Sequence, residues 1–161
     1  MTGEERRQKI ESYGNAYDRL VEALRQFPTE MWRFKPSPDR WSIHEILVHI
    51  ADSEANSFVR CRRGIAESGK SVMAYDEMQW AQTLRYADQS TEDALEVFKW
   101  LRRATYKLIR SLPESVWSNT IEHPENGTMT LDRWLGIYER HIPEHVAQMQ
   151  ENYGDWKKQH A

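Results

Sequence analysis

Residues 42–51 read SIHEILVHIA, and this stretch marks the start of a long helix. Its first four residues have the pattern of a capping box. In that motif the Ser42 hydroxyl and the Glu45 carboxylate each accept a hydrogen bond from a backbone N–H that the first helical turn leaves unpaired. Apolar residues follow at helical spacing and predict an amphipathic helix that runs to about Ala66. The apolar side of this helix consists of Ile43, Ile46, Leu47, Ile50, Cys61 and Ile65.

Three further helices are predicted around this one. Apolar residues three and four positions apart predict a helix over about residues 4–25. Phe27-Pro28 ends it, because proline disfavours helix in the residue before it. A third helix is predicted from Ser90 to about Leu112, and a fourth begins after Thr130 as its cap. Four amphipathic helices predict an all-α fold, a four-helix bundle.

The connections between these helices carry their own signals. Residues 67–89 form a long connection with one short turn expected around Asp76–Trp80, and connections of this length are usually functional. Asn126-Gly127 is a strong turn dipeptide. Residues 120–123 and 128–130 are therefore predicted to form a small β-hairpin before the last helix.

A faint internal repeat also accompanies the helices. The hexapeptides FPTEMW at 27–32 and LPESVW at 112–117 each place an apolar residue and proline four residues before tryptophan. One interpretation is two helical hairpins related by pseudo-two-fold symmetry. The other is a coincidence of turn chemistry, and both stay open.

Composition limits the class of protein. A chain of 161 residues is expected to form one domain, here residues 1–161. The net charge of −3 gives no global field to recruit nucleic acid or an anionic membrane, and the single cysteine excludes a disulfide framework. No apolar run approaches the ~20 residues of a membrane span, and the N-terminus lacks a signal-peptide core. We expect a cytoplasmic protein that binds neither nucleic acid nor a membrane.

Two of the six histidines, His141 and His145, stand four positions apart, so their rings share one helix face. They fall in the same apolar stripe as Trp134 and Tyr138. At this spacing two imidazoles can bind one metal ion. Burying an imidazole without a partner costs about 1–3 kcal/mol, so the pair needs an explanation. A satisfied core pair and a chance spacing nevertheless stay open at this point.

A third histidine, His49, lies at the flank of the helix that begins at Ser42. Three histidines from two facing helices would give three protein ligands with coordination positions left open, the arrangement of a catalytic metal site. His44, close to the cap, is expected to face solvent, and His160 lies in the terminal tail. His123 lies in the predicted hairpin and could approach the mouth of a pocket.

Four segments in this order carry a family resemblance. They are residues 40–53 (RWSIHEILVHIADS), 75–77 (YDE), 123–132 (HPENGTMTLD) and 141–145 (HIPEH). Together they resemble the DinB-like superfamily, and more narrowly its YfiT-like branch, over about residues 10–150. The resemblance implies a four-helix bundle with a divalent metal ion, often zinc or nickel, held by three histidines. These map to His49, His141 and His145.

The resemblance also implies a range of functions. Family members with known chemistry use the metal to activate a low-molecular-weight thiol, such as bacillithiol or mycothiol, for S-transfer, and others are called metal-dependent hydrolases. Homodimers are common among them. We therefore expect a metal-dependent S-transferase that joins such a thiol to a small electrophile. The alternatives are a hydrolase that uses metal-bound hydroxide and a metal-binding, stress-related protein without turnover.

Three residues are candidates to support the metal ligands. Asp52 and Glu45 lie three residues after and four before His49, so either carboxylate could accept a hydrogen bond from its ring. Tyr138 lies one turn before His141 and could hydrogen-bond a ligand of the metal. Solvated helix-face charges and a core tyrosine are the plainer interpretations of these residues.

Further features bear on the site. Pro143 lies between His141 and His145 and is expected to kink the helix, which could turn His145 away from the shared ion. Cys61 is expected to be a buried structural thiol. The basic residues of the middle helices are by default solvated, although a thiol's carboxylates could use one of the two clusters. These are Arg60, Arg62 and Arg63 in one cluster and Arg102 and Arg103 in the other.

Overall fold

The computed structural model describes residues 1–160, and within them it contains six α-helices and three short strands. No helix in this part of the chain combines the length and apolar character needed to cross a lipid bilayer. The helices are α1 (Gly3–Gly14), α2 (Ala16–Leu24), α3 (Ile43–Ala66), α4 (Glu77–Thr83), α5 (Thr91–Ile109) and α6 (Leu131–Gln159). The strands are β1 (Lys70–Ser71), β2 (Thr120–His123) and β3 (Gly127–Thr130).

The predicted four-helix bundle is confirmed, with α1 and α2 together, α3, α5 and α6 as its long elements. The capping box that begins α3 is present: the Glu45 backbone N–H donates to Ser42 Oγ at 3.2 Å, and the Ser42 N–H donates to Glu45 Oε2 at 2.9 Å. The first helix departs from prediction because it is broken at Asn15, where ψ is 2° instead of helical. Asn15 still donates its N–H to the Glu11 carbonyl, so the break turns the chain without ending its packing.

The predicted hairpin is confirmed, and a third strand joins it. β2 pairs antiparallel with β3, with Ile121 opposite Met129. β1 pairs parallel with β2, with Lys70 opposite Ile121. A two-residue strand has no alternation that a sequence pattern could reveal. The pairing of β1 with β2 joins the long connection after α3 to the hairpin that precedes α6.

The two hexapeptides of the internal repeat fold alike locally. Each places a 3₁₀ turn directly after its proline, at Thr29–Met31 and at Glu114–Ser118. The chain then runs toward α3 after the first and into β2 after the second. The shared feature is thus the turn that follows the proline.

A buried ion pair joins all four arms of the bundle. Arg102 on α5 donates to both carboxylate oxygens of Glu54 on α3, at 3.0 and 2.6 Å, and both side chains are at most 1% exposed. The hydroxyl of Tyr13 on α1 donates to the same carboxylate, and Arg102 also donates to the Tyr138 carbonyl on α6. The expectation of a solvated Arg102 was wrong. Helical spacing does not reveal that Glu54, 48 residues earlier in the chain, is buried in the core as its partner.

Candidate metal centre

The three predicted ligands meet in the interior of the bundle. His49 on α3 and His141 and His145 on α6 each offer a ring nitrogen, and these three atoms lie within 4.8 Å of one another. The Nε2 atoms of His141 and His145 are 3.0 Å apart. The ring centre of His49 lies 5.6 Å from that of His141 and 4.9 Å from that of His145. Tertiary packing therefore brings together residues about 90 positions apart.

The core on either side holds the two helices in this register. On α3, Ile46 and Ile50 flank His49, and on α6, Ile142 and Met149 flank the histidine pair; all four side chains are buried in one apolar cluster. α6 runs from Leu131 to Gln159 without interruption, with Pro143 inside it. Pro143 does not turn His145 away from the site, since the Nε2 atoms of His141 and His145 are 3.0 Å apart.

His49 is held by stacking. The ring of Trp41 packs on its imidazole with centres 4.6 Å apart. Asn152 on α6 fixes this tryptophan, because its side-chain amide donates to the Trp41 carbonyl at 2.8 Å. His49 is buried, and its Nδ1 has no hydrogen-bond partner among residues 1–160. A buried ring nitrogen without a partner is costly for a protein to keep.

Two neighbours of the histidines escaped the sequence analysis although their spacing could have indicated them. Gln148, three residues after His145, accepts the N–H of His145 Nδ1 at 2.8 Å, which leaves Nε2 with its lone pair toward the cluster. Ser53, four residues after His49, places its hydroxyl 3.4 Å from Nε2 of His141. These spacings put Gln148 on the same face of α6 as His145, and Ser53 on the same face of α3 as His49, from which it reaches His141 across the bundle.

Burial keeps all three imidazoles uncharged. Burial, and secondly the repulsion that a protonated His145 would exert, lower the pKa of His49 to about 3. The pKa of His141 is held well below its ordinary value by burial and then by the other two histidines. Burial also lowers the pKa of His145, although the hydrogen bond with Gln148 works in the opposite direction. Three neutral imidazoles with converging nitrogens form a donor set that fits a divalent cation such as zinc or nickel.

The residues expected to support the ligands are engaged elsewhere. Asp52 accepts a hydrogen bond from the Tyr86 hydroxyl at 2.6 Å. Glu45 serves the helix cap and pairs with Lys35 at 3.0 Å. Neither of these candidate carboxylates accepts a hydrogen bond from the His49 ring within residues 1–160. Tyr138 lies next to the site, its ring centre 6.0 Å from that of His141.

The remaining histidines lie outside the cluster. The expectation that His44 faces solvent was wrong: it is 6% exposed, and its Nε2 lies 2.8 Å from the Gln89 carbonyl oxygen that accepts its N–H. His123 is buried in the hairpin, where its Nδ1 accepts backbone N–H groups of Glu125 and Asn126. His160 is exposed and stacks on Trp156.

Comparison with known sequences identifies the family of the chain. Residues 13–149 match the family model of the DinB superfamily. A relative from Oceanobacillus iheyensis, named "Putative metal-dependent hydrolase OB0782", is 30% identical over 107 residues, which is 66% of this chain and 62% of that protein. "Putative metal-dependent hydrolase YfiT" from Bacillus subtilis is 26% identical over 112 residues, 69% of this chain and 63% of its own length. The match thus spans less than two thirds of either relative.

Two solved structures share the fold. YfiT from Bacillus subtilis, described as "a probable metal-dependent hydrolase with an unusual four-helix bundle topology", superposes with a TM-score of 0.86 at 22% identity, over 94% of this chain and 87% of that one. A mycothiol-dependent maleylpyruvate isomerase superposes with a TM-score of 0.70 at 11% identity, over 92% of this chain and 61% of that one. At these identities the likeness concerns the architecture.

Proposed function

The chain belongs to the DinB superfamily, and on that premise we propose that it is a metal-dependent enzyme whose divalent ion, zinc or nickel, is held by His49, His141 and His145. We propose further that it transfers a low-molecular-weight thiol to a small electrophile. The observation that carries the proposal is the buried cluster of three neutral imidazoles. Such a site, when loaded, supplies an uncompensated positive charge that lowers the pKa of a thiol or a water molecule.

The chain's own thiol is unsuited to be the nucleophile. Cys61 is the one cysteine of the sequence and is fully buried on α3. Burial raises its pKa to about 12, with smaller effects from Arg62 and Glu54. A thiol must be deprotonated to attack. The sulfur nucleophile of the proposed reaction therefore comes from a co-substrate.

The surroundings of the cluster favour thiol transfer over hydrolysis. No carboxylate of the described residues hydrogen-bonds any of the three imidazoles, since Asp52 and Glu45 are engaged elsewhere. A thiol ionises easily and can add to an electrophile without a strong base, whereas hydrolysis gains from a positioned acid or base. The names of the relatives favour a metal-dependent hydrolase, which is our second candidate.

Substitution with cobalt tests the first candidate directly. We would load the purified protein with Co²⁺ and titrate it with 2-mercaptoethanol and cysteine while recording the near-ultraviolet spectrum. A sulfur-to-cobalt charge-transfer band is expected as the thiol binds, with release of a proton because the thiol pKa of about 8.5 must fall below the working pH. Buried Cys61 should contribute no band before thiol is added.

The controls separate the candidate functions. His49→Ala should lose both cobalt and the band, whereas His160→Ala should keep both, since His160 is exposed and remote from the cluster. The zinc and nickel proteins would be assayed with monochlorobimane plus thiol and with p-nitrophenyl acetate alone. Cobalt bound without a thiol band, together with ester turnover, would replace the transferase by the hydrolase. Metal binding with neither activity would leave a metal-binding protein without turnover.

A further inference from the structure

A cleft opens on the outer side of α3, beyond the histidine cluster. It has a volume of about 650 Å³, within the usual range of small-molecule sites of about 300–1,000 Å³. Its walls come from α3, from the segment that follows β1, and from α4. Most of the wall is apolar, from Val59, Val72, Met73 and Trp80. Val59 and Met73 are 60% and 72% exposed, so apolar surface faces the opening.

Three charged residues line this cleft, Asp52, Arg60 and Arg63, and of the two arginines Arg60 is the one without an ion-pair or acidic hydrogen-bond partner within residues 1–160. Its Nη1 donates to the Tyr138 hydroxyl at 2.9 Å, and its Nη2 donates to the Met73 carbonyl at 2.6 Å. A guanidinium has five N–H donors, so these bonds use two of them. The Nε donor is shielded from solvent and has no acceptor in residues 1–160. The side chain is thus held by two hydrogen bonds, while the second hydrogen of Nη1 and that of Nη2 remain for a ligand.

The guanidinium of Arg60 also makes no ion pair in the described chain, although Glu77 on α4 lies near enough for this charge to oppose the rise that burial causes in the pKa of Glu77. No carboxylate of residues 1–160 lies within ion-pair distance of its guanidinium, whereas the neighbouring Arg63 pairs with Glu67 at 3.1 Å. Asp52, the acidic residue of the cleft wall, is occupied by the Tyr86 hydroxyl. A fixed cation beside apolar walls is complementary to a molecule with an apolar body and one carboxylate.

The cleft lies in line with the metal centre. His49, Ser53, Asn56 and Arg60 follow one another on α3 at steps of four, three and four residues, so they share one helix face. Arg60 lies about 16 Å further along the helix axis than His49, and its long side chain leans back toward the helix N-terminus. Tyr138 connects the two regions, because its hydroxyl accepts from Arg60 and its ring neighbours His141.

We propose that this cleft, one wall of which is the segment from β1 to α4, binds a small amphipathic carboxylate, with Arg60 as the residue that selects the carboxylate. The placement rests on the proposed function in one respect only: the other end of the bound molecule extends along α3 toward the three histidines. A substrate that uses both regions is elongated, with its reacting group separated from its carboxylate by an apolar stretch. Arg60 is a specificity-determining residue in this arrangement.

Direct binding measurements test the assignment without any need for turnover. The probes are 4-phenylbutyrate and its uncharged analogue 4-phenylbutan-1-ol, titrated by calorimetry into the metal-loaded protein. The ratio of the two dissociation constants is the readout. The parent should prefer the carboxylate at least about tenfold, as a charge-assisted hydrogen bond implies. Arg60→Gln should bring the ratio near one, Arg60→Lys should keep part of it, and Arg103→Gln, an exposed residue of α5 outside the cleft, should leave it unchanged.

The ratio also guards against a structural effect of the substitution. Arg60 ties Tyr138 to Met73, so losing it could loosen the cleft and weaken both probes, but this would not change the preference between them. His141→Ala serves as the second arm. Carboxylate preference retained there supports the assignment even when the metal is lost. A parent without preference, or a preference that survives Arg60→Gln and disappears in His141→Ala, overturns it and places the carboxylate at the metal centre instead.

Discussion

Replacing His49 with glutamine should make the metal-free protein less sensitive to acid. In the folded chain the pKa of His49 is about 3, while an unfolded chain has the ordinary histidine value of about 6.5. Between these values the unfolded state binds a proton that the folded state excludes. Stability is therefore complete above about pH 6.5 and is lost as the pH falls toward the folded pKa.

The size of this effect follows from the two pKa values. Each pH unit in the window costs about 1.4 kcal/mol for one histidine, so lowering the pH from about 7 to about 5 should cost about 2 kcal/mol through His49 alone. His141 and His145 are shifted in the same direction and add to the loss in the parent. The difference between the parent and His49→Gln measures the contribution of His49, together with its effect on the pKa of His141.

Urea unfolding at both pH values, in the presence of a chelator, measures this difference. Tryptophan fluorescence reports the transition, since the chain has seven tryptophans. His160→Gln is the matched control: it removes an exposed imidazole and should keep the acid sensitivity of the parent. If the parent and His49→Gln lose the same free energy of unfolding between the two pH values, the claim that His49 is buried uncharged in the folded protein is refuted.

Two further substitutions test the site and the core. His141→Ala should remove most of the bound metal, measured by elemental analysis, and leave the helical circular dichroism unchanged, whereas His123→Ala should keep the metal; unchanged stoichiometry in the first variant would contradict the ligand assignment. Arg102→Met should lower the free energy of unfolding by about 3–5 kcal/mol because it leaves Glu54 charged and unpaired in the core. Arg103→Met, on the exposed side of the same helix, should change the free energy of unfolding by about 0.5 kcal/mol or less. Equal effects of the two substitutions would show that the Arg102–Glu54 ion pair does not stabilise the fold.

Several features of the protein could be predicted from local sequence because their causes are local. The capping box at Ser42 and Glu45 is satisfied within four residues, so the start of α3 could be read directly. The turn dipeptide Asn126-Gly127 specifies the hairpin through backbone geometry, with Gly127 at φ 65°. The four-residue spacing of His141 and His145 puts two rings on one face whatever packs against it. The association of His49 with that pair needed one further step, the facing of two amphipathic helices.

Other features depended on partners that no local pattern specifies. Arg102 is a buried partner of Glu54 and not a solvated charge, and Asp52 binds the Tyr86 hydroxyl and not the ring of His49. Helical periodicity gives the direction in which a side chain leaves its helix, but the group that it meets is chosen by the packing of distant segments. Trp41 lies just before α3, but the residue that fixes it over His49 is Asn152 on α6, 111 positions away. The cleft at Arg60 likewise joins α3 to the segment after β1, and only the tertiary fold brings such partners close.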